Sequence, residues 1–400
     1  MRMTYLSHLE CSECGERRSA DAPQANDCAD AGLLLARYDL ERARQSLSRD
    51  DLAAGPASLW RYAPLLPVLD VAGAVTLGEG WTPLTRADRL ARELGSAELW
   101  IKNEGLSPTG SFKDRGAAVA LSRYRELGVE GVVLNSSGNA GGAFSLYAAR
   151  AGMGCVSVLP SDVQSSSLRQ CELAGAEGEM VDAARWHDGG GIAAEIARRR
   201  GWFNVGTMKE PYRTEGKKTM GYEIVEQLGF ELPDVIVYPA GGGTGVVAIW
   251  KGIQELAELG WVRGKTPRAL VVQYEGCAPI VKAWQEGRET CEPWGEIDIL
   301  PGGLKSPNPA AGKQILRLMR DTGGGGVAVS SDEALASVGE LARHEGVFAC
   351  PEAAATLAGL RRALADGLVR KDERVVLVIT GSGLKSVPSL PRGGFSVPGR

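Results

Sequence analysis

Histidine is scarce in this chain, with three in 400 residues, at His8, His187 and His344. Chemistry that needs a histidine cluster is therefore a poor fit, and acid–base work falls instead to a lysine and a cofactor. Long runs of one charge are also missing. The net charge is −4 with no basic stretch, which argues against nucleic acid as a partner. Met1 to His8 holds no apolar h-region, so no secretory signal is expected. Apolar runs such as Val375-Val376-Leu377-Val378-Ile379 are far too short to span a bilayer and read as buried parallel strands. A cytoplasmic protein without a membrane partner is the expectation. A disulfide framework is absent too. The eight cysteines (Cys11, Cys14, Cys28, Cys155, Cys171, Cys277, Cys291 and Cys350) are widely spread, which suits thiols in a chain of this length. No internal repeat is visible.

What is present falls into two or three structural units, as the length suggests. Residues 1–55 read as a separate N-terminal extension. Cys11-Ser12-Glu13-Cys14 is a CxxC knuckle, and Cys28 follows in a polar loop. A complete zinc ribbon would show a second pair, but here Ala29, Asp30 and Ala31 follow Cys28. The ribbon is degraded, and two readings stay open. Either Cys11, Cys14 and Cys28 bind zinc with Asp30 or His8 as fourth ligand, or the segment is a small metal-free lobe packed on the core. Residues 56–390 form the second unit. From about residue 75 strand-like segments (Glu98 to Lys102, Gly131 to Leu134, Cys155 to Leu159, Val235 to Tyr238, Ala269 to Val272, Val375 to Ile379) alternate with helical patterns (Ala117 to Leu127, Ala140 to Ala151, Ile192 to Arg200, Gly245 to Leu259). Such alternation predicts an α/β fold of open, twisted parallel sheets with helices on both faces. In such sheets ligands sit outside the carboxyl ends of the strands. Gly323 to Gly326 reads as a flexible loop.

Four segments at strand ends carry the chemistry. Ser107-Pro108-Thr109-Gly110-Ser111-Phe112-Lys113-Asp114-Arg115-Gly116 puts a lysine at a strand-to-helix junction, near backbone N–H groups that favour anions. A partly desolvated lysine there can form a Schiff base with a carbonyl cofactor. Asn135-Ser136-Ser137-Gly138-Asn139-Ala140-Gly141 is a polar, glycine-bearing turn, which by itself also reads as a helix cap. Pro239-Ala240-Gly241-Gly242-Gly243-Thr244-Gly245 opens a helix after a strand, and its glycines let backbone N–H groups approach a phosphate. It is neither GxxxxGK followed by Ser or Thr nor GxGxxG, so a nucleoside triphosphate is disfavoured. By itself this segment is also readable as a tight turn. Thr380-Gly381-Ser382-Gly383-Leu384-Lys385 directly follows the last strand.

These four segments, in this order, closely resemble the threonine synthase family of fold-type II pyridoxal-phosphate enzymes, which are tryptophan synthase β-like. Gly78-Glu79-Gly80-Trp81-Thr82-Pro83-Leu84 and Glu210-Pro211-Tyr212-Arg213-Thr214-Glu215-Gly216-Lys217-Lys218-Thr219 extend the resemblance over most of residues 60–385. It implies a smaller subdomain at about 115–205, a larger one at about 56–114 with 206–390, and a homodimer. It implies pyridoxal 5'-phosphate as cofactor, with Lys113 as the catalytic lysine and Phe112, Asn139, Gly241, Gly242, Gly243, Thr244 and Thr380 around the cofactor. Asn139 would meet its phenolic oxygen, Gly241 to Thr244 its phosphate, and Thr380 (or Ser382) its pyridine nitrogen. A hydroxyl at that nitrogen suits elimination at Cβ or Cγ better than transamination. A small phosphorylated amino acid would be the substrate, with Ser136, Ser137 and Asn139 at its carboxylate and Arg213, Lys217 and Arg115 as cations for its phosphate.

The implied reaction is conversion of O-phosphohomoserine and water to threonine and phosphate. The match frays at Glu210, where many members have Asn, and at Ser382, where many have His. A carboxylate at 210 repels a phosphate unless a cation offsets it. Pro301 to Pro309 has no counterpart. A threonine or serine dehydratase, or a cysteate-synthase-like β-replacement enzyme, would use the same four segments. A non-catalytic zinc- or phosphate-binding regulator is the rival of another class, and the absence of a lysine-bound cofactor would mark it.

Overall fold

The computed structural model describes residues 4–30 and 32–390. Runs of β-branched and other apolar residues form strands buried on both faces, as parallel sheets covered by helices require. In the larger sheet the order is β12 (Gly325–Val329), β11 (Arg268–Tyr274), β10 (Val235–Pro239), β13 (Arg374–Ile379), β5 (Glu98–Asn103) and β4 (Leu84–Arg86). Every pair is parallel except β4 with β5, an antiparallel edge. The two-residue period sorts side chains between two cores. Ile236, Tyr238, Ala269, Val271, Val376 and Val378 enter one cluster. Val235, Val237, Leu270, Val272, Val375, Leu377 and Ile379 enter the other. Each such aliphatic side chain contributes roughly 1.5–3 kcal/mol when fully buried.

The smaller sheet, in the order β8 (Glu177–Val181), β7 (Gly154–Pro160), β6 (Gly131–Asn135) and β9 (Phe203–Asn204), is wholly parallel. Val132 and Leu134 face the Lys113–Glu126 and Asn139–Ala151 helices. Val133, Val156 and Val158 face Ala193, Ile196 and Ala197 of the Gly189–Arg200 helix. The fold is thus α/β with one parallel and one mixed sheet and helices on both faces. Among the described residues no helix is long and apolar enough to cross a membrane.

The N-terminal segment makes an antiparallel sheet, β2 (Arg17–Arg18), β1 (Leu6–Cys11) and β3 (Leu34–Tyr38). It has no core of its own: Leu33 and Leu35 join one cluster of the main body, while Leu9, Leu34 and Ala36 join another. The glycine run 323–326 is not the loop its composition predicts. Gly323 caps the Gly312–Thr322 helix in the left-handed conformation (φ 66°), and Gly325 already pairs in β12. Pairing with the buried strand β11 overrides the weak strand propensity of glycine.

The topology brings distant motifs together. β10, β13 and β5 lie side by side and parallel, so the loops leaving their carboxyl ends share one sheet edge. Phe112 N–H donates to Thr380 O at 3.1 Å, and Ser382 N–H donates to Gly110 O at 2.9 Å.

Candidate active site

Lys113 is the first residue of the Lys113–Glu126 helix. It lines a cleft of about 620 Å³ between the two sheets' carboxyl ends, a size suited to a cofactor with its substrate. The same walls carry Phe112, Ser136, Ser137, Asn139, Gly241, Gly242, Gly243, Thr244 and Thr380. Four segments separated by up to 268 positions therefore line one cleft. Burial drives the Lys113 amine down from 10.5 to about 7, the nearby Arg213 charge adds to the shift, and Glu352 and Cys350 oppose it. At neutral pH a large share is free amine, the nucleophilic form.

The glycine turn is a cradle. A Cβ at Gly241 would stand 2.3 Å from Gly303 O, and one at Gly243 (φ 92°) would stand 2.4 Å from Ile315 Cδ1. Among the described residues the N–H groups of Gly241, Gly242, Gly243, Thr244 and Gly245 donate to no protein acceptor. They crown the start of the Thr244–Glu258 helix, where its dipole favours an anion. Tyr238 also lines the cleft, and its buried hydroxyl has no hydrogen-bond partner among the described residues. In the 136–139 turn, Ser136 Oγ accepts from Gly138 N at 3.1 Å and Gly141 N at 2.9 Å, which fixes the start of the Asn139–Ala151 helix. Its hydroxyl proton remains available to a ligand.

Arg213 and Lys217 are buried and add no surface to the cleft, yet the Arg213 charge bears on Lys113 and the Lys113 charge bears on Lys217. Two glycines allow this. A Cβ at Gly216 would lie 1.9 Å from Arg115 O, and one at Gly116 would lie 3.1 Å from Lys217 Cε. The Lys113–Glu126 and Tyr212–Gln227 helices thus cross at backbone contact, with Lys217 Nζ 5.5 Å from the Phe112 ring centroid. Burial and the Arg213 and Lys113 charges push Lys217 well below its ordinary value. Arg213 is lowered to about 10 by burial against the pull of Glu210. Its Nε has no partner.

Arg115 is a correction. The expectation placed it among the phosphate cations, but it is fully buried and absent from the cleft wall. It donates to Glu104 (2.7 and 2.8 Å), to Glu223 (2.5 and 2.7 Å) and to Thr219 (2.8 Å). Its donors are spent on a structural network that also holds Lys102. Glu210 is a helix cap as well as a charge, accepting from Tyr212 N at 2.7 Å, Arg213 N at 2.9 Å and Tyr124 Oη at 3.0 Å.

Several cleft residues escaped the sequence reading. Lys305, Ser306 and Asn308 come from the 301–309 stretch, Lys209 stands exposed at the rim, and Glu352 faces in from a helix start. Glu352 Oε1 accepts from Gly303 N at 3.0 Å, while its buried Oε2 has no hydrogen-bond partner among the described residues. A lone acid at a helix N-terminus carries no sequence signal that separates it from an ordinary first-turn acid. Apart from the cleft, Cys11, Cys14, Cys28 and Asp30 gather with ligand atoms within 4.8 Å of one another. His8, the alternative fourth ligand, pairs instead with Glu10 at 3.5 Å.

Residues 75–381 match the family model described as "Pyridoxal-phosphate dependent enzyme". The chain is 35% identical over 376 residues to the threonine synthase of Methanocaldococcus jannaschii, covering 94% of this chain and 92% of that one. It is 36% identical over 381 residues to the threonine synthase of Methanosarcina acetivorans, covering 95% and 92%. This chain belongs to the threonine synthase family of pyridoxal-phosphate-dependent enzymes. Solved structures share the fold: the processed form of tomato (Solanum lycopersicum) threonine deaminase isoform 2, with TM-score 0.65, 19% identity and 94% and 97% coverage, and maize serine racemase, with TM-score 0.64, 19% identity and 77% and 90% coverage. It is a fold-type II, pyridoxal-phosphate-dependent lyase. The residues fit that cofactor: a free-amine lysine, a glycine cradle with unspent N–H groups, and the Thr380 side chain on the wall of one cleft.

Proposed function

We propose that the enzyme converts O-phosphohomoserine and water into threonine and phosphate. The observation that carries this reading is the grouping of three buried basic side chains, Lys113, Arg213 and Lys217, with Glu210 and Tyr124 opposing Arg213, Glu210 opposing Lys217, and Glu352 and Cys350 opposing Lys113. A buried group of three basic side chains gains from a ligand that brings a dianion. The names of the relatives support the same substrate class. When bound, pyridoxal phosphate supplies an electron sink for the carbanion formed at the substrate Cα.

The chain's own groups do the rest. Gly241 to Thr244 would hold the cofactor phosphate, Asn139 would orient its phenolic side, and Thr380 would offer a hydroxyl to its ring nitrogen. Phe112 packs edge-on against Tyr238, with centroids 6.2 Å apart, and walls the cleft. Ser136, Ser137 and Asn139 fix the substrate carboxylate. Arg213 and Lys217, behind the cleft wall, favour the substrate phosphate through their charge, and Lys209 at the rim guides it in. The Lys113 amine takes the proton from Cα and moves a proton at Cβ, a role that its value near 7 suits. The Cγ–O bond breaks, phosphate leaves, and water adds at Cβ.

The second reading rests on Glu210, whose carboxylate beside Arg213 lowers the net positive charge and would suit a dehydratase or β-replacement enzyme. The test is a product assay on purified holoenzyme with O-phosphohomoserine, phosphoserine, threonine and serine offered separately. Threonine and phosphate in equal amounts, from phosphohomoserine alone, support the first reading. A 2-oxo acid from threonine or serine moves the function to a dehydratase, and turnover of phosphoserine moves it to β-replacement.

A further inference from the structure

We propose that Cys11, Cys14, Cys28 and Asp30 form a structural site for a zinc-class divalent cation, and that this site sets the walls of the cofactor's phosphate loop. Cys11 Sγ lies 3.5 Å from Asp30 Oδ1, and the four ligand atoms lie within 4.8 Å of one another. Sulfur and oxygen ligands of a tetrahedral zinc stand about 3.5–3.8 Å apart, so a small contraction closes the site. Three thiols and one carboxylate are a zinc-class donor set, with Asp30 completing what the single cysteine at position 28 leaves open. Gly32 makes room for it. A Cβ there would stand 2.2 Å from Cys11 Sγ, and the Gly32 N–H donates to Asp30 Oδ1 at 2.9 Å, orienting the carboxylate. This outer contact is of the kind that tunes a metal ligand.

Two links join the site to the cleft. Glu13, inside the CxxC knuckle, binds Lys313 at 2.6 Å and Arg317 at 2.9 Å. Both lie on the Gly312–Thr322 helix. The start of that helix packs on the glycine cradle: Ala311 N–H donates to Gly242 O at 3.2 Å, and the Ile315 side chain blocks any Cβ at Gly243. Asn26, between Cys14 and Cys28, donates its N–H to Lys209 O at 3.0 Å and its side-chain amide to Met208 O at 2.8 Å. That holds the 207–209 segment, whose Thr207 and Lys209 line the cleft, with Thr207 beside Gly242. The knuckle and its loop therefore hold two elements that pack on the phosphate loop. Metal bound at the four ligands fixes the positions of Glu13 and Asn26 and so preorganises the cradle.

The test begins with elemental analysis of the full-length holoenzyme purified under reducing conditions without chelator, where one divalent metal per chain is expected. Chelated protein refilled with Co²⁺ is expected to show the d–d and sulfur-to-metal bands of tetrahedral thiolate coordination. Cys14→Ser should lose them, and Asp30→Cys should keep them with a stronger sulfur band. The dissociation constant for pyridoxal phosphate, titrated on the apoenzyme, should rise about tenfold on metal removal. Glu13→Gln should keep the metal and show the same weakening, which separates the link from the site. Metal far below one equivalent, together with no cobalt–thiolate bands, would overturn the site. Full metal occupancy with an unchanged cofactor constant after metal removal would overturn its link to the cradle.

Discussion

Lys113 and Lys217 bring their ammonium nitrogens to the same ring, that of Phe112, at 4.1 and 5.5 Å from its centroid. Two lysines this close in a buried place cannot both stay charged cheaply. Both are pushed down, Lys113 to about 7 by burial with help from Arg213, Lys217 well below its ordinary range by burial, Arg213 and Lys113.

The first prediction concerns pH. Only the unprotonated Lys113 amine captures the cofactor, so apoenzyme should take up pyridoxal phosphate at a rate that climbs through about pH 7 and levels off above it. Stability of the apoenzyme should shift in the same direction. The folded Lys113 binds fewer protons than the unfolded one between about pH 7 and 10.5, so its burial costs stability below that window and the cost is relieved as pH rises through it. Stopped-flow absorbance and urea melts at several pH values check both. An uptake midpoint near 10.5 would contradict the desolvated site.

Arg213→Gln should raise the midpoint of that uptake curve, because its charge is one of the causes of the lowered Lys113 value. It should also raise KM for O-phosphohomoserine about fivefold, the size of a lost favourable charge of about 1 kcal/mol acting from behind the cleft wall. Steady-state kinetics beside the uptake curve read both effects from one variant.

Arg115→Met tests the correction. Its loss leaves Glu104 and Glu223 buried, with Lys102 still paired to Glu223. Breaking a buried pair in this way costs about 3–5 kcal/mol. The denaturation midpoint should fall while KM for the phosphorylated substrate of the folded fraction stays put. A selective rise in KM without loss of stability would return Arg115 to substrate binding.

Glu210→Gln should lower KM for O-phosphohomoserine by roughly fivefold, since it removes one negative charge, on the order of 1 kcal/mol, next to Arg213. The amide oxygen can still accept from one of the two N–H groups that Glu210 caps, since Tyr212 and Arg213 donate to different carboxylate oxygens. A rise in KM would mean that the carboxylate positions Arg213 rather than opposing the phosphate.

The cofactor half of the site was legible because its signals are local. An apolar strand run followed at once by a Gly-, Ser- or Thr-rich turn marks a carboxyl end, and Lys113, Asn139, Gly241 to Thr244 and Thr380 all sit there. The partners of Arg115 were not legible, since Glu223 lies 108 positions away and only the helix crossing at Gly116 and Gly216 brings it close. Lys305, Asn308 and Glu352 reach the cleft through loop and helix packing that has no period to read. The strand at Gly325–Val329 was hidden for the opposite reason: glycines that look like a break are held in register by the buried neighbour β11.

The central claim is elimination of phosphate from Cγ followed by addition of water at Cβ, and turnover of O-phosphohomoserine in heavy-oxygen water tests it most directly. Mass spectrometry should find one solvent oxygen in the threonine hydroxyl and none in the released phosphate, because the bridging oxygen leaves with phosphorus. Solvent oxygen in the phosphate together with homoserine as the other product, or a 2-oxo acid in place of threonine, would contradict it.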